Sequence, residues 1–319
     1  MSTRRFDLVG LGECMVELYA DQPLGSVAQL TRAYGGDVLN ALVTAARMGG
    51  NTGFITRVGA DPFGQCLLDA WRNEGVDTSH APLAAGDNGV YFISLRTGGE
   101  REFTYRRRDS AASRLDEGDI DAAYIASARY ILLSGITQAI SVSARAATLA
   151  AAKTARAHGV SVAYDPNYRP ALWAECGGID AARAAFAELL PLTDCLLPSY
   201  PADLALLPAG AGLSAAASSP SFSAGASHFA GLAPHVAVKC GADGCVLLAG
   251  GEAIHVPADV PPAVLDTTGA GDAWNGAYLL RRARGVAFEA AAIEANRVAA
   301  AKLAHRGAIP PSFNPNGAP

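Results

Sequence analysis

The chain lacks the features that define several large classes of protein. Its six cysteines are scattered, and no two have the C-x-x-C spacing of a structural zinc site or a redox dithiol. The six histidines form no metal-ligand cluster. No strongly apolar run reaches the roughly 18 residues that a membrane-spanning helix requires. We therefore expect a cytoplasmic protein whose thiols are small buried side chains in a reducing compartment.

Charge is also scarce, and its balance is acidic. Charged residues make up 17% of the 319 residues, and the formal net charge is −5. This balance argues against a general nucleic-acid or anionic-membrane binder, so any bound anion must be attracted by a local cluster. Half of the residues are hydrophobic, which predicts a sizeable core. The length fits one large α/β domain or two smaller ones.

Several catalytic signatures are missing as well. The sequence contains no G-x-x-x-x-G-K-[ST] loop, no H-R-D or D-F-G set, and no G-x-S-x-G elbow. Gly10-Leu11-Gly12 lacks the third glycine of a dinucleotide fingerprint. These absences argue against P-loop nucleotidases, protein kinases and serine hydrolases, and they disfavour a dinucleotide oxidoreductase.

Predicted strands and helices alternate along most of the chain. This rhythm predicts an α/β fold with a mostly parallel sheet and helices on both faces. The predicted strands are Phe6–Gly10, Thr52–Val58, Tyr130–Leu133, Val160–Tyr164 and Val236–Lys239. The predicted helices are Val38–Met48, Asp61–Asn73 with Pro62 in its first turn, Ser143–His158, Ala181–Leu190 and about Phe288–His305.

Two regions interrupt this rhythm with extended, partly alternating sequence, at about 17–34 and 89–107. The second reads as a β-hairpin with a turn at Gly98-Gly99. Such strands predict a small sheet that stands off the main domain as a lid, and edge strands of the main sheet are the alternative. Residues 209–228 are rich in Ala, Ser and Gly and predict a surface loop or weak helix.

The most informative motif reads Asp266-Thr267-Thr268-Gly269-Ala270-Gly271-Asp272, followed by a stretch that can begin a helix. Glycines let backbone N–H groups crowd around an anion, and a helix N-terminus adds positive potential. A carboxylate there suits the removal of a proton from a hydroxyl that attacks a phosphate. We therefore predict an anion hole at residues 269–271 and a base at Asp272. The alternative is a glycine-rich turn with an Asp N-cap.

Three further segments offer ligand-binding groups. Gly35-Gly36 precedes a helix that carries Asn40, so backbone and amide can approach a small polar ligand. Asn167 and Arg169 follow a strand, where ligands collect in doubly wound sheets. An extended hairpin places Tyr91, Tyr105 and Arg107 on one face. The alternatives are a helix entry, a plain turn and a solvated charge run.

In this order, and with a turn from Lys239 to Gly244, these segments resemble the ribokinase-like (PfkB-type) sugar kinases over nearly the whole chain. Within that family the resemblance is closest to the 2-keto-3-deoxygluconate kinases. It is carried by Tyr105 to Arg107 with Ser110 to Ser113, by Ser134 to Thr137, and by Tyr164 to Trp173. The resemblance implies transfer of phosphate from ATP, with Mg²⁺, to the terminal hydroxyl of a sugar acid, and it leaves a monovalent cation open.

The resemblance also implies an architecture and a set of site residues. It implies one kinase domain over 1–319, with lid strands inserted at about 13–38 and 88–110. The exposed face of the lid offers a surface on which two chains can pair, so we also predict a homodimer. The implied sugar-side positions, with Asp272 as base, are Gly36, Asn40, Tyr91, Tyr105, Arg107, Ile136 and Arg169. The implied ATP-side positions are Lys239, Gly241, Gly244, Gly269 to Gly271, and Asn296 near the adenine.

Two details refine the expectation. Two arginines that reach one pocket would match a sugar carboxylate, and Glu17 stands where many such kinases offer an Asp to sugar hydroxyls. The usual Asn-x-x-Glu before the nucleotide site is replaced by a stretch from Ser199 to Asp203, so the metal ligands are undetermined.

The alternative functions are a kinase for a neutral sugar such as fructose or ribose, a nucleoside kinase, and a non-catalytic sugar sensor.

Overall fold

The structure is a computed structural model that describes residues 4–95, 101–208, 222–261 and 263–316. Its strands are β1 Phe6–Leu11, β2 Met15–Tyr19, β3 Thr31–Gly35, β4 Thr52–Ile55, β5 Val58–Gly59, β6 Val76–His80, β7 Leu83–Ala84, β8 Gly89–Leu95, β9 Arg101–Arg106, β10 Ala128–Ser134, β11 Ser161–Asp165, β12 Cys195–Leu196, β13 His235–Lys239, β14 Cys245–Ala249 and β15 Glu252–Val256.

The α-helices follow the same alternation. They are α1 Asp37–Arg47, α2 Gly64–Asn73, α3 Ala122–Ala126, α4 Gly135–Ile140, α5 Val142–Ala157, α6 Pro170–Ala174, α7 Gly178–Leu189, α8 Phe222–Ala226, α9 Ala270–Ala283 and α10 Phe288–Lys302. Among the described residues, none of these helices combines the length and the hydropathy that crossing a membrane would require.

Within the described residues, nine strands form the main sheet, in the order β15-β14-β13-β12-β11-β10-β1-β4-β6. Neighbouring strands run parallel from β6 to β13, and β14 and β15 add an antiparallel edge. The predicted mostly parallel sheet is therefore confirmed. Because parallel strands end at the same edge, the loops that follow β1, β10 and β11 converge there.

The core lies on both faces of this sheet. Along β10, Ile131 and Leu133 pack into the cluster that includes α5 and α7, whereas Leu132 packs into the cluster that includes α1, α9 and α10. Successive side chains of a strand point to opposite faces, so a fully apolar strand needs cover on both. The prediction of helices on both faces is confirmed.

A second sheet has the order β3-β2-β8-β9 and shares no strand with the first. Strands β2 and β8 pair in parallel, and the outer pairs are antiparallel. The predicted separate small sheet is confirmed over the alternative of edge strands. The turn predicted at Gly98-Gly99 lies outside the described residues. We call strands β2, β3, β8 and β9 the lid.

Some predicted boundaries were wrong. The strand predicted over Thr52–Val58 ends at Ile55, and Val58 begins the short strand β5, which pairs with β7. Helix α2 begins after Pro62 because the Asp61 carboxylate accepts hydrogen bonds from the N–H groups of Phe63 (2.8 Å) and Gly64 (3.1 Å). In the stretch predicted to be a loop or weak helix, 222–226 is helical, and 209–221 lie outside the described residues.

Candidate active site

A cavity of about 1340 Å³ lies between the lid and the carboxyl edge of the main sheet. Its walls come from the lid, the start of α1, the loop after β11 and the start of α9. All ten residues predicted for the sugar side line it: Gly35, Gly36, Asn40, Tyr91, Tyr105, Arg107, Ile136, Asn167, Arg169 and Asp272. Residues far apart in the chain thus share one site, because loops from several strand ends meet at this edge.

Asp272 is the third residue of α9, at the end of the cavity formed by the helix start. The turn before it needs a glycine at 269, where φ is +74°, a conformation that other residues adopt only with strain. A Cβ at Gly269 would also lie 3.1 Å from the backbone of Ala308. One Asp272 oxygen, Oδ2, accepts a hydrogen bond of 2.7 Å from the amide of Asn40.

The surroundings of Asp272 raise its pKa to about 7. Burial contributes most, and the neighbouring Asp37 carboxyl adds to the shift. The hydrogen bond from Asn40 lowers the pKa, Asp165 raises it, and Lys239 lowers it. A carboxyl with a pKa near neutrality is suited to take a proton at physiological pH, because both of its protonation states are accessible.

Asp165, the last residue of β11, anchors a buried polar network behind Asp272. Its Oδ2 accepts hydrogen bonds of 2.6 Å from the Lys239 ammonium and 2.6 Å from the Asn275 amide. Its Oδ1 accepts one of 3.1 Å from the Asn167 N–H. The Asp165 and Lys239 side chains are only 5% and 10% exposed. This network joins β11, β13 and α9 below the cavity.

Asp37 opens α1 and is the second carboxyl close to Asp272. Its Oδ2 accepts hydrogen bonds from the Ser134 hydroxyl and, at 3.1 Å, from the Asn167 amide. Its Oδ1 is buried and has no hydrogen-bond partner in the described structure. Burial, reinforced by the charge of Asp165, raises the pKa of Asp37. Asp37 therefore has an unused acceptor in the wall of the cavity.

The lid contributes aromatic rings to the cavity. Tyr91 and Tyr105 are directly opposite each other on β8 and β9, with ring centroids 5.9 Å apart and nearly parallel planes. The Tyr91 hydroxyl donates to the buried carboxylate of Glu17 on β2, so this hydrogen bond joins two strands of the lid. Tyr105 remains 46% exposed, so its ring is available at the mouth of the cavity.

The two predicted arginines differ in their surroundings. Arg107 forms an ion pair with Glu13, and both side chains are largely buried. Burial lowers the pKa of Arg107 to about 10. Arg169 is exposed, and its guanidinium donates a 3.2 Å hydrogen bond to the carbonyl of the neighbouring Tyr168. Both arginines line the cavity, but Arg107 is paired with Glu13, whereas the guanidinium of Arg169 is exposed.

The residues predicted for the ATP side are spread more widely. Gly269 lines the main cavity, whereas Asn296 lines a second cavity of about 610 Å³ beside α10 and the loop after β15. The Asn296 amide donates to the carbonyls of Val256 and Pro257 and accepts from the Trp274 indole. Lys239, Gly241 and Gly244 line neither cavity, and the two glycines form the turn between β13 and β14.

Asp203, the acid in the stretch that begins at Ser199, is fully buried. Its carboxylate accepts hydrogen bonds from the N–H groups of Tyr168 (2.8 Å) and Ser199 (2.6 Å), and burial raises its pKa to about 6. It therefore ties the loops after β11 and β12 together. In the described part of the chain, no group of three or more His, Cys, Asp or Glu could hold a metal ion.

Glu13 and Asp37 are among the acids that line the cavity and were not singled out from the sequence. Glu13 interrupts an apolar run directly after Gly12, and its side chain is 2% exposed. Asp37 lies between the paired glycines and the apolar face of α1. A charged residue among neighbours that are expected to be buried requires a partner. This requirement is the signal in the sequence that would have identified Glu13 and Asp37.

Comparison with known proteins identifies the class of protein to which this cavity belongs. Residues 5–315 match the family described as "pfkB family carbohydrate kinase". The chain therefore belongs to the pfkB family of carbohydrate kinases and is a sugar kinase. The small separate sheet, the large mixed sheet and the helices together form the ribokinase-like α/β fold.

Individual relatives are similar over nearly their full length. The chain is 35% identical to 2-dehydro-3-deoxygluconokinase of Escherichia coli K12, covering 94% of this chain and 96% of the relative. It is 34% identical to the 2-dehydro-3-deoxygluconokinase of Dickeya dadantii, covering 98% of both chains. A protein from E. coli designated a candidate ribokinase II and solved with ATP and Mg²⁺ superposes with a TM-score of 0.82, at 25% identity and 94% coverage of both chains.

Proposed function

We propose that the protein transfers the terminal phosphoryl group of ATP to the terminal hydroxyl of 2-keto-3-deoxygluconate, giving its 6-phosphate. The observation that carries the proposal is Asp272, a carboxyl with a pKa of about 7 at the start of α9 in a cavity lined by Arg107 and Arg169. The names of the full-length relatives support the same substrate. We further propose that 1–319 form one kinase domain with the lid strands inserted in it.

In this proposal Asp272 removes the proton of the substrate hydroxyl as the hydroxyl oxygen attacks the terminal phosphorus. A new P–O bond forms, the bond between that phosphorus and the bridging oxygen breaks, and ADP leaves. Asn40 holds the Asp272 carboxylate in place through its 2.7 Å hydrogen bond. The N–H groups at the start of α9 stabilise the negative charge on the transferring group.

The start of α9 fits a phosphate group. Helix α9 has 14 residues, and the first N–H groups of a helix have no partner within it. Gly271 is exposed, and a Cβ built on it would meet no protein atom within 4 Å. Packing therefore does not require a glycine at 271, whereas close approach of a ligand to the backbone does.

Magnesium would be held mainly through the nucleotide. Mg²⁺ keeps several waters and binds through phosphates with one or two carboxylates, so it needs no protein cage of three acids. The described residues contain no such cage, which agrees with this mode. When bound, the ion would neutralise charge on the phosphates. This chain would supply the anion hole and the base.

A substrate panel tests the function. The purified protein is incubated with ATP and Mg²⁺ and with 2-keto-3-deoxygluconate, fructose, ribose or adenosine, and ADP release is coupled to NADH oxidation. We expect turnover with the keto-deoxy acid and far lower kcat/KM with the neutral compounds. Preference for a neutral sugar or nucleoside would replace the proposal with the corresponding kinase, and no turnover with any substrate would favour a sensor.

Arg169 is the better residue for testing recognition of the substrate carboxylate. Replacing Arg107 would leave Glu13 buried without its partner and would disturb folding. We expect Arg169→Gln to lower kcat/KM for the keto-deoxy acid by about 10- to 100-fold, because a charge-assisted hydrogen bond is worth about 1.5–3 kcal/mol. Activity on neutral sugars should change little.

The matched control is Arg129→Gln. Arg129 is exposed near the start of β10 and so lies at the opposite edge of the sheet. Arg129→Gln should leave the activity on the keto-deoxy acid and the activity on neutral sugars unchanged. An equal loss of activity toward acidic and neutral substrates in Arg169→Gln would contradict a role in carboxylate recognition.

We also propose that two chains pair through the lid. Strands β3 and β9 are the outer strands of the lid within the described structure, and Leu30 beside β3 is 38% exposed. Light scattering at micromolar concentration should give about twice the chain mass of 32.7 kDa, because unpaired sheet edges are ready templates for another chain.

Leu30→Asp should shift this mass toward the monomer, whereas Val142→Asp should not. Val142 is 83% exposed and lies on α5, away from the lid. A monomeric wild-type protein under these conditions would contradict pairing through the lid.

A further inference from the structure

A fully buried lysine at the end of α10 is not used by the mechanism above. Lys302 is the last residue of α10 and is 0% exposed. Its ammonium donates hydrogen bonds of 3.2 Å to the main-chain carbonyl of Asp266 and 3.2 Å to that of His305. Lysines are almost never buried completely, because removing the charge from water is costly. Such a burial calls for a specific role.

The two carbonyls belong to the segments that frame the anion hole. Asp266 begins the motif that ends at Asp272, and its carboxylate accepts hydrogen bonds from the N–H groups of Thr268 (2.8 Å) and Gly307 (2.7 Å). The carbonyl of Leu303 accepts from the N–H of Asp266 at 3.1 Å. The segments 265–269 and 303–308 are thus bound to each other, with the Lys302 ammonium between them.

The packing of Gly269 shows why this junction matters for the site. A Cβ at Gly269 would lie 3.1 Å from the Cα atom and 3.1 Å from the carbonyl oxygen of Ala308. The turn that starts α9 therefore rests directly on the 303–308 segment. A displacement of this segment would move the N–H groups of α9 and with them Asp272, which follows Gly269 closely in the same helix start.

Two main-chain carbonyl oxygens converge on the Lys302 ammonium. Main-chain carbonyl oxygens that converge on one buried point coordinate ions such as potassium. A lysine ammonium offers the same single positive charge, with three donors fixed by a covalent stem. We propose that Lys302 is a built-in substitute for a monovalent cation. It holds the carbonyls of Asp266 and His305 and so fixes the anion hole.

This inference rests on the proposed kinase function and predicts that the wild-type enzyme needs no added monovalent cation. Its turnover should change by less than about 2-fold when Na⁺ is replaced by K⁺, NH₄⁺ or tetramethylammonium at equal ionic strength. Screening is then constant, so any difference reports specific binding. A several-fold activation by K⁺ or NH₄⁺ would overturn the proposal, since a separate site for the ion would then exist.

The decisive variant is Lys302→Met, which keeps an unbranched side chain and removes the charge. In Na⁺ we expect its kcat to fall about 10- to 100-fold, because a misplaced catalytic constellation costs rates of that order. K⁺ or NH₄⁺ should restore at least part of the loss, and tetramethylammonium, which is too large, should not. Loss of activity without rescue, or unchanged activity in Na⁺, would contradict the substitution of a cation by Lys302.

A second readout needs no substrate. The thermal unfolding midpoint of Lys302→Met should rise with the concentration of K⁺ or NH₄⁺, because an ion that binds only the native state stabilises it. The wild-type midpoint should stay constant in the same series. If the substrate panel gives no turnover, the proposed function fails, but this titration still decides the cation inference. Parallel behaviour of the two midpoints would overturn it.

Two further variants show whether the cation effect is specific to Lys302 and whether it reflects a loss of folding. Lys153→Met changes an exposed lysine on α5 and should match the wild type in every cation. If Lys302→Met does not fold, Lys302→Gln replaces it, because the amide still donates to carbonyls while lacking the charge. The cation series on the wild type remains decisive in either case.

Discussion

Asp272→Asn is expected to lower kcat by about two orders of magnitude or more, because a positioned general base contributes roughly 10²- to 10⁴-fold. Asparagine keeps the shape of the side chain and can still accept the hydrogen bond from Asn40, so the helix start should remain intact. The coupled assay with the keto-deoxy acid measures kcat and KM separately. KM should change much less than kcat, since the lost interaction is with the reacting proton.

The control is Asp180→Asn, which removes an exposed carboxylate from α7 and should leave kcat unchanged. Near-normal turnover in Asp272→Asn would refute the assignment of the base. A large loss with an unfolded circular dichroism spectrum would leave kcat unreadable, so Asp272→Ala and Asp272→Glu are measured alongside. The glutamate variant should keep more activity than the alanine variant if a carboxylate at this point is what matters.

The pH profile of the wild type supplies an independent signature of the same group. Because the pKa of Asp272 is raised to about 7, the carboxyl is protonated below that pH and cannot accept a proton. Because kcat/KM reports the ionisation of the free enzyme, kcat/KM should rise with pH through about 7 and level off above it. Asn40→Ala removes a hydrogen bond that lowers this pKa, so it should move the limb to higher pH. A limb that persists in Asp272→Asn would assign the titration to another group.

Much of the site could be predicted from the sequence because its parts follow strand ends. Parallel strands end at a common edge, so a residue such as Asn167, which follows a strand, reaches the same region as Asn40 and Asp272 without any knowledge of the packing. The local structure also requires the glycines at 36 and 269. A Cβ at Gly36 would lie 2.0 Å from the Glu13 carbonyl oxygen, and Gly269 has a positive φ.

The choice of partners could not be predicted in this way. The sequence predicts that Arg107 reaches the sugar pocket, but it does not reveal that Glu13, near the start of the chain, pairs with this arginine. It predicts Lys239 for the nucleotide side, but it does not reveal the ion pair of Lys239 with Asp165, 74 positions earlier. A lone charged residue indicates in the sequence that a counter-charge is needed. Which carboxylate supplies it depends on tertiary packing, which local patterns do not encode.

The second prediction with a large expected effect concerns Lys239. If Lys239 acts mainly through its buried ion pair, its removal should lower stability. If it acts on the nucleotide, its removal should weaken the binding of ATP. Lys239→Met leaves the 5% exposed Asp165 carboxylate without its cation. Removing one partner of a buried pair costs about 3–5 kcal/mol. We therefore expect the free energy of unfolding in urea to fall by about this amount, while the Kd for ATP changes by less than about 3-fold, which corresponds to less than about 1 kcal/mol.

The double variant Lys239→Met/Asp165→Asn separates the two roles. The amide introduced at position 165 would carry no charge, so the double variant should recover part of the stability that the single variant loses, as buried pairs replaced together often cost little. Lys153→Met, which removes an exposed lysine, should be neutral. If Lys239→Met instead keeps its stability and its Kd for ATP rises about 30-fold or more, roughly 2 kcal/mol, then the ammonium leaves Asp165 when nucleotide binds. In that case Lys239 acts on the nucleotide, and the pair with Asp165 is only its resting position.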